Sequence, residues 1–175
     1  RKLSTKEIRK LFGKLTEDVK QSSLGQKVAT SIEKNIAEIG KEFPDFKIPN
    51  EHGELKGISD FTGEITLLQF WSSTCSGSRM MHPNLKEVYD KYHLKGLKIV
   101  GISRDRIKDN WTKAIKEDNL TWPQVSNLNS WDGEVYQAYG ISTTPSNVLI
   151  DENGIIVAKN LKGEELENAI TKYLN

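Results

Sequence analysis

Along the chain the spacing of apolar and polar positions changes period several times, and each change predicts an element. Over residues 5–15 and again over 25–40, apolar residues recur every three or four positions with charges between them, as at Val28, Ile32, Ile36 and Ile39. That period predicts a short helical hairpin or cap. Phe43-Pro44-Asp45-Phe46-Lys47-Ile48-Pro49 then brings two prolines close together, which excludes helix and favours an extended entry, with Glu51-His52-Gly53-Glu54 as a polar turn. A boundary near Gly40 is expected, dividing a helical extension (1–40) from an α/β unit (41–175).

Within that unit, Ile65-Thr66-Leu67-Leu68-Gln69-Phe70-Trp71 is apolar on both parities, the pattern of a strand covered on both faces, and it should be central. Residues 77–93 predict a helix through Met80, Met81, Leu85, Val88 and Tyr92, kinked at Pro83. A second buried strand is expected over 97–103, then helices over 108–118 and 132–139, the last stopped by Gly140. The clearest hairpin pairs 146–151 with 155–159 across the turn Glu152-Asn153-Gly154, and a closing helix spans about 164–174. Strands alternating with helices and then a hairpin give a mixed sheet, parallel at first and antiparallel at one edge, with helices on both faces.

Composition narrows the function classes. The 175 residues suit one compact core with an appendage. With 25 Lys and Arg against 24 Asp and Glu, the net charge of +1 provides no field for nucleic acid or anionic lipid. The apolar runs fall far short of the roughly 18–20 residues of a membrane span. The opening Arg1-Lys2-Leu3-Ser4 lacks a basic stretch followed by an apolar one, so a signal peptide is expected to have been removed or never present. His52, His82 and His93 are scattered and no Gly-rich loop follows a strand, so neither a metal site nor a nucleotide cofactor is expected.

One cysteine, Cys75, excludes an internal disulfide and a cysteine-based zinc site. It follows Trp71 by four residues, at the end of the central strand and just before a helix, where free amides and the helix dipole favour a thiolate. Ligands of open α/β sheets bind at that strand end. The alternative is a buried small hydrophobe. Trp71 reads equally as a core aromatic, Thr144-Pro145 as a turn before a strand, Arg79 as a thiolate-favouring or a solvated charge, and His82 as a helix-surface residue rather than a distant base.

Taken together, Glu42-Phe43-Pro44-Asp45-Phe46, Leu68-Gln69-Phe70-Trp71-Ser72-Ser73-Thr74-Cys75, Pro83 and Thr143-Thr144-Pro145-Ser146-Asn147-Val148-Leu149-Ile150-Asp151 resemble the TlpA/ResA-like thiol-disulfide oxidoreductases of the AhpC/TSA superfamily. Residues 110–115 and 157–166 resemble the cell-envelope members from Bacteroidetes, where this domain often follows another region, of which 1–40 would be a remnant. The resemblance implies a thioredoxin fold and a periplasmic or envelope location. Cys75 would be the attacking thiol, Pro145 a cis-proline, Thr144 the residue presenting backbone to substrate, and Trp71 a neighbour of the site. Its implied partners are protein thiols or disulfides, with an external reducing thiol or redox protein.

Two positions depart from that pattern. Ser78 stands where the resemblance places a second cysteine, and a hydroxyl cannot displace a mixed disulfide. Met81 stands where the best-known members carry an acidic residue that helps move protons. Three readings follow: a monothiol exchange protein, or a dithiol enzyme with Ser78 substituted; a non-catalytic binding module; and a one-cysteine peroxidase. The last finds a hydroxyl at Ser72 as in Pro-x-x-x-Thr-x-x-Cys, but Leu68 in place of the proline.

Overall fold

The computed structural model describes residues 5–174; Arg1 to Ser4, including the opening read for a signal peptide, and Asn175 lie outside the described residues. Three helices come first, α1 (Thr5–Gly13), α2 (Glu17–Gln21) and α3 (Ser23–Lys34). Ser22 makes the corner between α2 and α3 and caps the latter, its hydroxyl accepting the Gly25 amide at 3.0 Å. Only glycine fits at position 25, because a Cβ there would lie 2.1 Å from the Val19 carbonyl oxygen.

The helix expected to run on to residue 40 stops at Lys34. Beyond it, the Ile36 and Ala37 amides both donate to the Ala138 carbonyl, and Ile36 and Ile39 stand 57% and 62% exposed. A helix C-terminus leaves carbonyls unpaired, and binding one of them gives this segment an alternative to continuing α3. Lys159 reinforces the join, its Nζ donating to the carbonyls of Ala37 at 3.0 Å and Tyr139 at 2.6 Å. Burial pushes that amine down to about 8, against a raising influence from Glu38.

A two-stranded ribbon, β1 (Lys47–Pro49) and β2 (Leu55–Gly57), leads into β3 (Ile65–Trp71), α4 (Ser76–Tyr92), β4 (Leu97–Ser103), α5 (Lys108–Glu117), β5 (Gln124–Val125) and α6 (Glu134–Ala138). The hairpin β6 (Ser146–Asp151) and β7 (Ile156–Lys159) and the helix α7 (Gly163–Thr171) complete the chain. The main sheet runs β5-β4-β3-β6-β7, with β3, β4 and β5 parallel and β6 and β7 antiparallel. Every residue of β3 is buried.

Alternation along the strands divides the core. Leu68, Phe70, Val100, Ile102, Val148 and Ile150 meet Ile48, Ile58 and the α6 side chains on one face. Ile65, Leu67, Trp71, Leu97, Ile99 and Leu149 meet α4, α5 and α7 on the other. The α4 stripe differs from expectation at Met80, which is 80% exposed, since the buried positions are Ser78, His82, Leu85, Val88 and Tyr92. Among the described residues no helix is long and apolar enough to cross a membrane.

Candidate active site around Cys75

The chain leaves β3 at Trp71 and reaches α4 through Ser72, Ser73 and Thr74. A buried carboxylate fixes this connection: Asp105 accepts from Ser72 Oγ (3.0 Å), the Ser73 amide (2.9 Å), Ser73 Oγ (2.7 Å) and Ser103 Oγ (2.6 Å). The Arg104 amide adds a bond to the Trp71 carbonyl at 3.0 Å. The ends of β3 and β4 are thereby tied together under the turn that carries the thiol.

Cys75 is the residue preceding the first turn of α4, in extended conformation, and its carbonyl accepts the Arg79 amide at 3.1 Å. Its half-buried thiol donates to the Thr144 carbonyl at 3.4 Å. The Thr144–Pro145 peptide is cis, and the Pro145 ring stands against Gly77. The fold thus brings Cys75, Thr144 and Pro145 together across 70 residues of sequence.

Burial works to raise the Cys75 thiol, but the Ser78 hydroxyl, Thr144 and the amides of Ser78 and Gly77 outweigh it and hold the thiol below its ordinary value. Ser78 is completely buried, and among the described residues its hydroxyl has no hydrogen-bond partner. It is close enough to favour a thiolate without bonding the neutral thiol. Trp71 is also without exposed surface; its Nε1 donates to Gln124 Oε1 at 3.0 Å, and its ring meets His82 edge-on at 4.9 Å. It supports the site from below.

His82 is not on the helix surface as expected but fully buried, and its Nδ1 lies 2.6 Å from Asp118 Oδ2. Nor is Arg79 a free charge: its guanidinium grips the Asp118 carboxylate through Nε and through Nη2 at 2.6 Å, and reaches Glu117 at 3.0 Å. Burial lowers the His82 imidazole below its ordinary value, although Asp118 pulls the other way. Burial opposes ionisation of Asp118 too, yet Arg79 and His82 together hold its carboxyl below the usual range.

A family model for the AhpC/TSA family matches residues 39–159. The chain belongs to the AhpC/TSA family. Thiol-disulfide oxidoreductase ResA of Bacillus thuringiensis subsp. konkukian is 30% identical over 137 residues, covering 78% of this chain and 77% of its own. Among solved structures, the C-terminal domain of a protein from Bacteroides thetaiotaomicron superposes with a TM-score of 0.74 at 38% identity, covering 79% of this chain and 97% of that one. A thiol-disulfide oxidoreductase from Bacteroides fragilis gives a TM-score of 0.72 at 34% identity, covering 77% of this chain and 100% of that one. The mixed sheet with helices on both faces is the thioredoxin fold of these neighbours.

Beside the thiol of this AhpC/TSA-family chain, Met81, Thr143, Pro145, Asn147, Lys159 and Leu161 line part of a surface cavity of about 540 Å³. The peroxidase reading finds no support here: the Ser72 hydroxyl is engaged by Asp105, and Leu68 is packed in the core. Among the described residues no group of three or more His, Cys, Asp or Glu side chains could hold a metal ion.

Sequence reasoning did not find Asp105 or Asp118. Asp105 meets Ser72 and Ser73, and Asp118 meets Arg79 and His82, across more than 30 residues, and no local period marks such a contact. For His82 a signal existed. It lies four residues after Ser78 and three before Leu85, inside the stripe that α4 buries.

Proposed function

We propose that the protein performs thiol-disulfide exchange through Cys75 alone. The observation that carries this reading is the half-buried Cys75 thiol at the start of α4, lowered in pKa and bonded to the Thr144 carbonyl beside Pro145. The Cys75 thiolate attacks one sulfur of a disulfide R–S–S–R′, forming Cys75–S–S–R and releasing R′S⁻. Ser78 has no thiolate with which to break that bond. An external thiolate R″S⁻ attacks the substrate sulfur, giving R–S–S–R″ and returning Cys75 as thiolate. Protein thiols and disulfides are the substrate class, with Thr144 and Pro145 as the docking edge; support comes from the ResA and Bacteroides relatives.

Residues 1–40 read as an extension of the unit 41–175, which holds every strand among the described residues and Cys75. A periplasmic or envelope location fits a compartment where disulfides persist, and the likeness to ResA supports it. The test is turnover of a glutathionylated peptide by excess glutathione, with Cys75→Ser as control. Cys75-dependent release of the peptide thiol is expected. A second reading, a binding module without turnover, is favoured by Ser78 itself; no release, with no adduct on Cys75 by mass spectrometry, would establish it and sink the exchange reading.

A further inference from the structure

Three arginines lie on α4 and just beyond β4, and they are satisfied in different ways. The Arg79 guanidinium is taken up by Asp118 and Glu117, and Arg106, well exposed, pairs with Asp132 at 3.6 Å. Arg104 pairs with no acidic side chain among the described residues. It is half-buried; its Nε donates to Thr144 Oγ1 at 3.4 Å, and its guanidinium lies over the Trp131 ring, 4.5 Å from the centroid.

Those contacts place the cation beside the thiol. Thr144 takes the Cys75 thiol on its carbonyl at 3.4 Å and the guanidinium on its hydroxyl, so one residue carries both groups. From the other direction, the Arg104 amide is bonded to the carbonyl of Trp71, at the strand end that leads to Cys75. Trp131 is 37% exposed and meets Tyr136 edge-on at 5.6 Å, and the Tyr136 hydroxyl is anchored on the Ile102 carbonyl at 2.8 Å. The indole is therefore a fixed platform at the surface.

A guanidinium carries its N–H donors in its own plane, so resting on an aromatic ring does not consume them. Nε is directed to Thr144, and the two Nη groups have no hydrogen-bond partner among the described residues. Paired N–H groups of this kind fit the two oxygens of a carboxylate. A side chain already held in place also pays less to be ordered on binding. The adjacent carboxylate, Asp105, is buried under its serine donors and forms no ion pair with Arg104.

We propose that Arg104, seated on Trp131 and Thr144, is an anchor for a carboxylate on the molecule that reacts at Cys75. It selects disulfides and thiols that carry an acid close to the reacting sulfur: an acidic side chain beside the cysteine of a protein partner, or the carboxylates of a glutathione-type thiol. The chain's net charge of +1 provides no general attraction for anions, so the discrimination is local to this edge. The carboxylate itself does not react; the bonds made and broken are those of the exchange at sulfur. This deepens the exchange reading and rests on it for turnover, whereas the anchor can be tested without any exchange.

Iodoacetate and iodoacetamide supply that test on the full chain. Both lose iodide to the same Cys75 thiolate and differ in a carboxylate against an amide, so the ratio of their rates cancels the thiolate fraction. The iodoacetate-to-iodoacetamide ratio is expected to be about fivefold higher in the folded protein than in urea, the size of a well-placed, partly exposed ion pair. Arg104→Gln should remove most of that excess and Arg106→Gln none of it. In the unsubstituted protein, 1 M sodium chloride should roughly halve it. A folded ratio no higher than in urea, an excess that salt or Arg104→Gln leaves untouched, or an equal loss in Arg106→Gln would each overturn the anchor.

Two further rates identify the source of the acid. One is single-turnover attack of Cys75 on a symmetric peptide disulfide with Glu or Gln beside each cysteine; the other is release of the resulting adduct by glutathione or by its diethyl ester. Attack about fivefold slower on the Gln peptide assigns the carboxylate to a protein partner, and release slowed as much with the ester assigns it to the resolving thiol, each difference vanishing in Arg104→Gln. Equal rates in both comparisons would overturn Arg104 as a selector. No adduct at all, with the iodoacetate preference intact, would sink the exchange reading and leave the carboxylate anchor standing.

Discussion

Asp105 and Asp118 are two carboxylates that support the same helix start from different sides, and they are satisfied in opposite ways. Asp105, 6% exposed, collects neutral donors: three serine hydroxyls and one backbone amide. Asp118 is shared by a guanidinium and an imidazole. The first is a fixed knot that shapes the loop before Cys75, with no charged partner among the described residues. The second is an ion pair whose strength depends on the protonation of His82 and on the salt around Arg79, which is 28% exposed at its side chain. Rigidity and tunability are placed on separate groups, and the thiol sits between them.

Removing each carboxylate should break the comparison with unequal force. Asp105→Ala leaves up to four buried or half-buried donors without an acceptor, and is expected to cost about 3 kcal/mol in urea unfolding. The Ser72–Thr74 connection loosens with it, so the pH midpoint of Cys75 alkylation in the folded protein should rise toward that of a free thiol. Asp118→Asn is expected to cost less, about 2 kcal/mol, because Arg79 keeps Glu117 and the amide oxygen still accepts one bond. Equal losses in the two variants would show that the distinction between the carboxylates is wrong.

How much of this could be read from the sequence follows the same division. The buried central strand, the hairpin and the cysteine at a helix start are local signals, since β3 is apolar on both parities and Cys75 follows it directly. The helix expected over 25–40 failed at Asn35 because its continuation was outcompeted by the Ala138 carbonyl, a partner about 100 residues away. The grouping of Cys75, Thr144 and Pro145 in the candidate site was legible through family likeness, whereas both carboxylates come from outside those motifs. His82 was misplaced because a lone histidine on a helix reads as surface, and the Trp71 and Trp122 rings packed against it come from the end of β3 and the segment before β5, outside its own helix.

Acid should separate the two carboxylates further. The folded His82 imidazole lies below its unfolded value of about 6.5. Between the two values the unfolded chain binds more protons, so stability rises with pH across that window and falls as pH drops through it. His82→Phe removes the group and should flatten the stability curve below about pH 6.5, read as thermal midpoints at closely spaced pH. The loss from Asp118, whose folded carboxyl is lowered, should survive that substitution and appear only further into acid, below about 3.8. A curve that keeps its full slope in His82→Phe would assign the acid sensitivity elsewhere.

Salt gives the smallest expected effect and the sharpest distinction. The screening length falls from about 10 Å at 0.1 M to about 3 Å at 1 M. The pair between Arg79 and Asp118 is partly exposed, so the cost of Asp118→Asn should shrink in 1 M sodium chloride by a few tenths of a kcal/mol. The bonds to Asp105 come from neutral donors in a buried knot, where screening by mobile ions has little to act on. The cost of Asp105→Ala should therefore be the same at both salt concentrations. If the two losses shrink together, both carboxylates are held mainly by the field of the surrounding charges, and the neutral serine donors around Asp105 are followers of that field rather than its substitute.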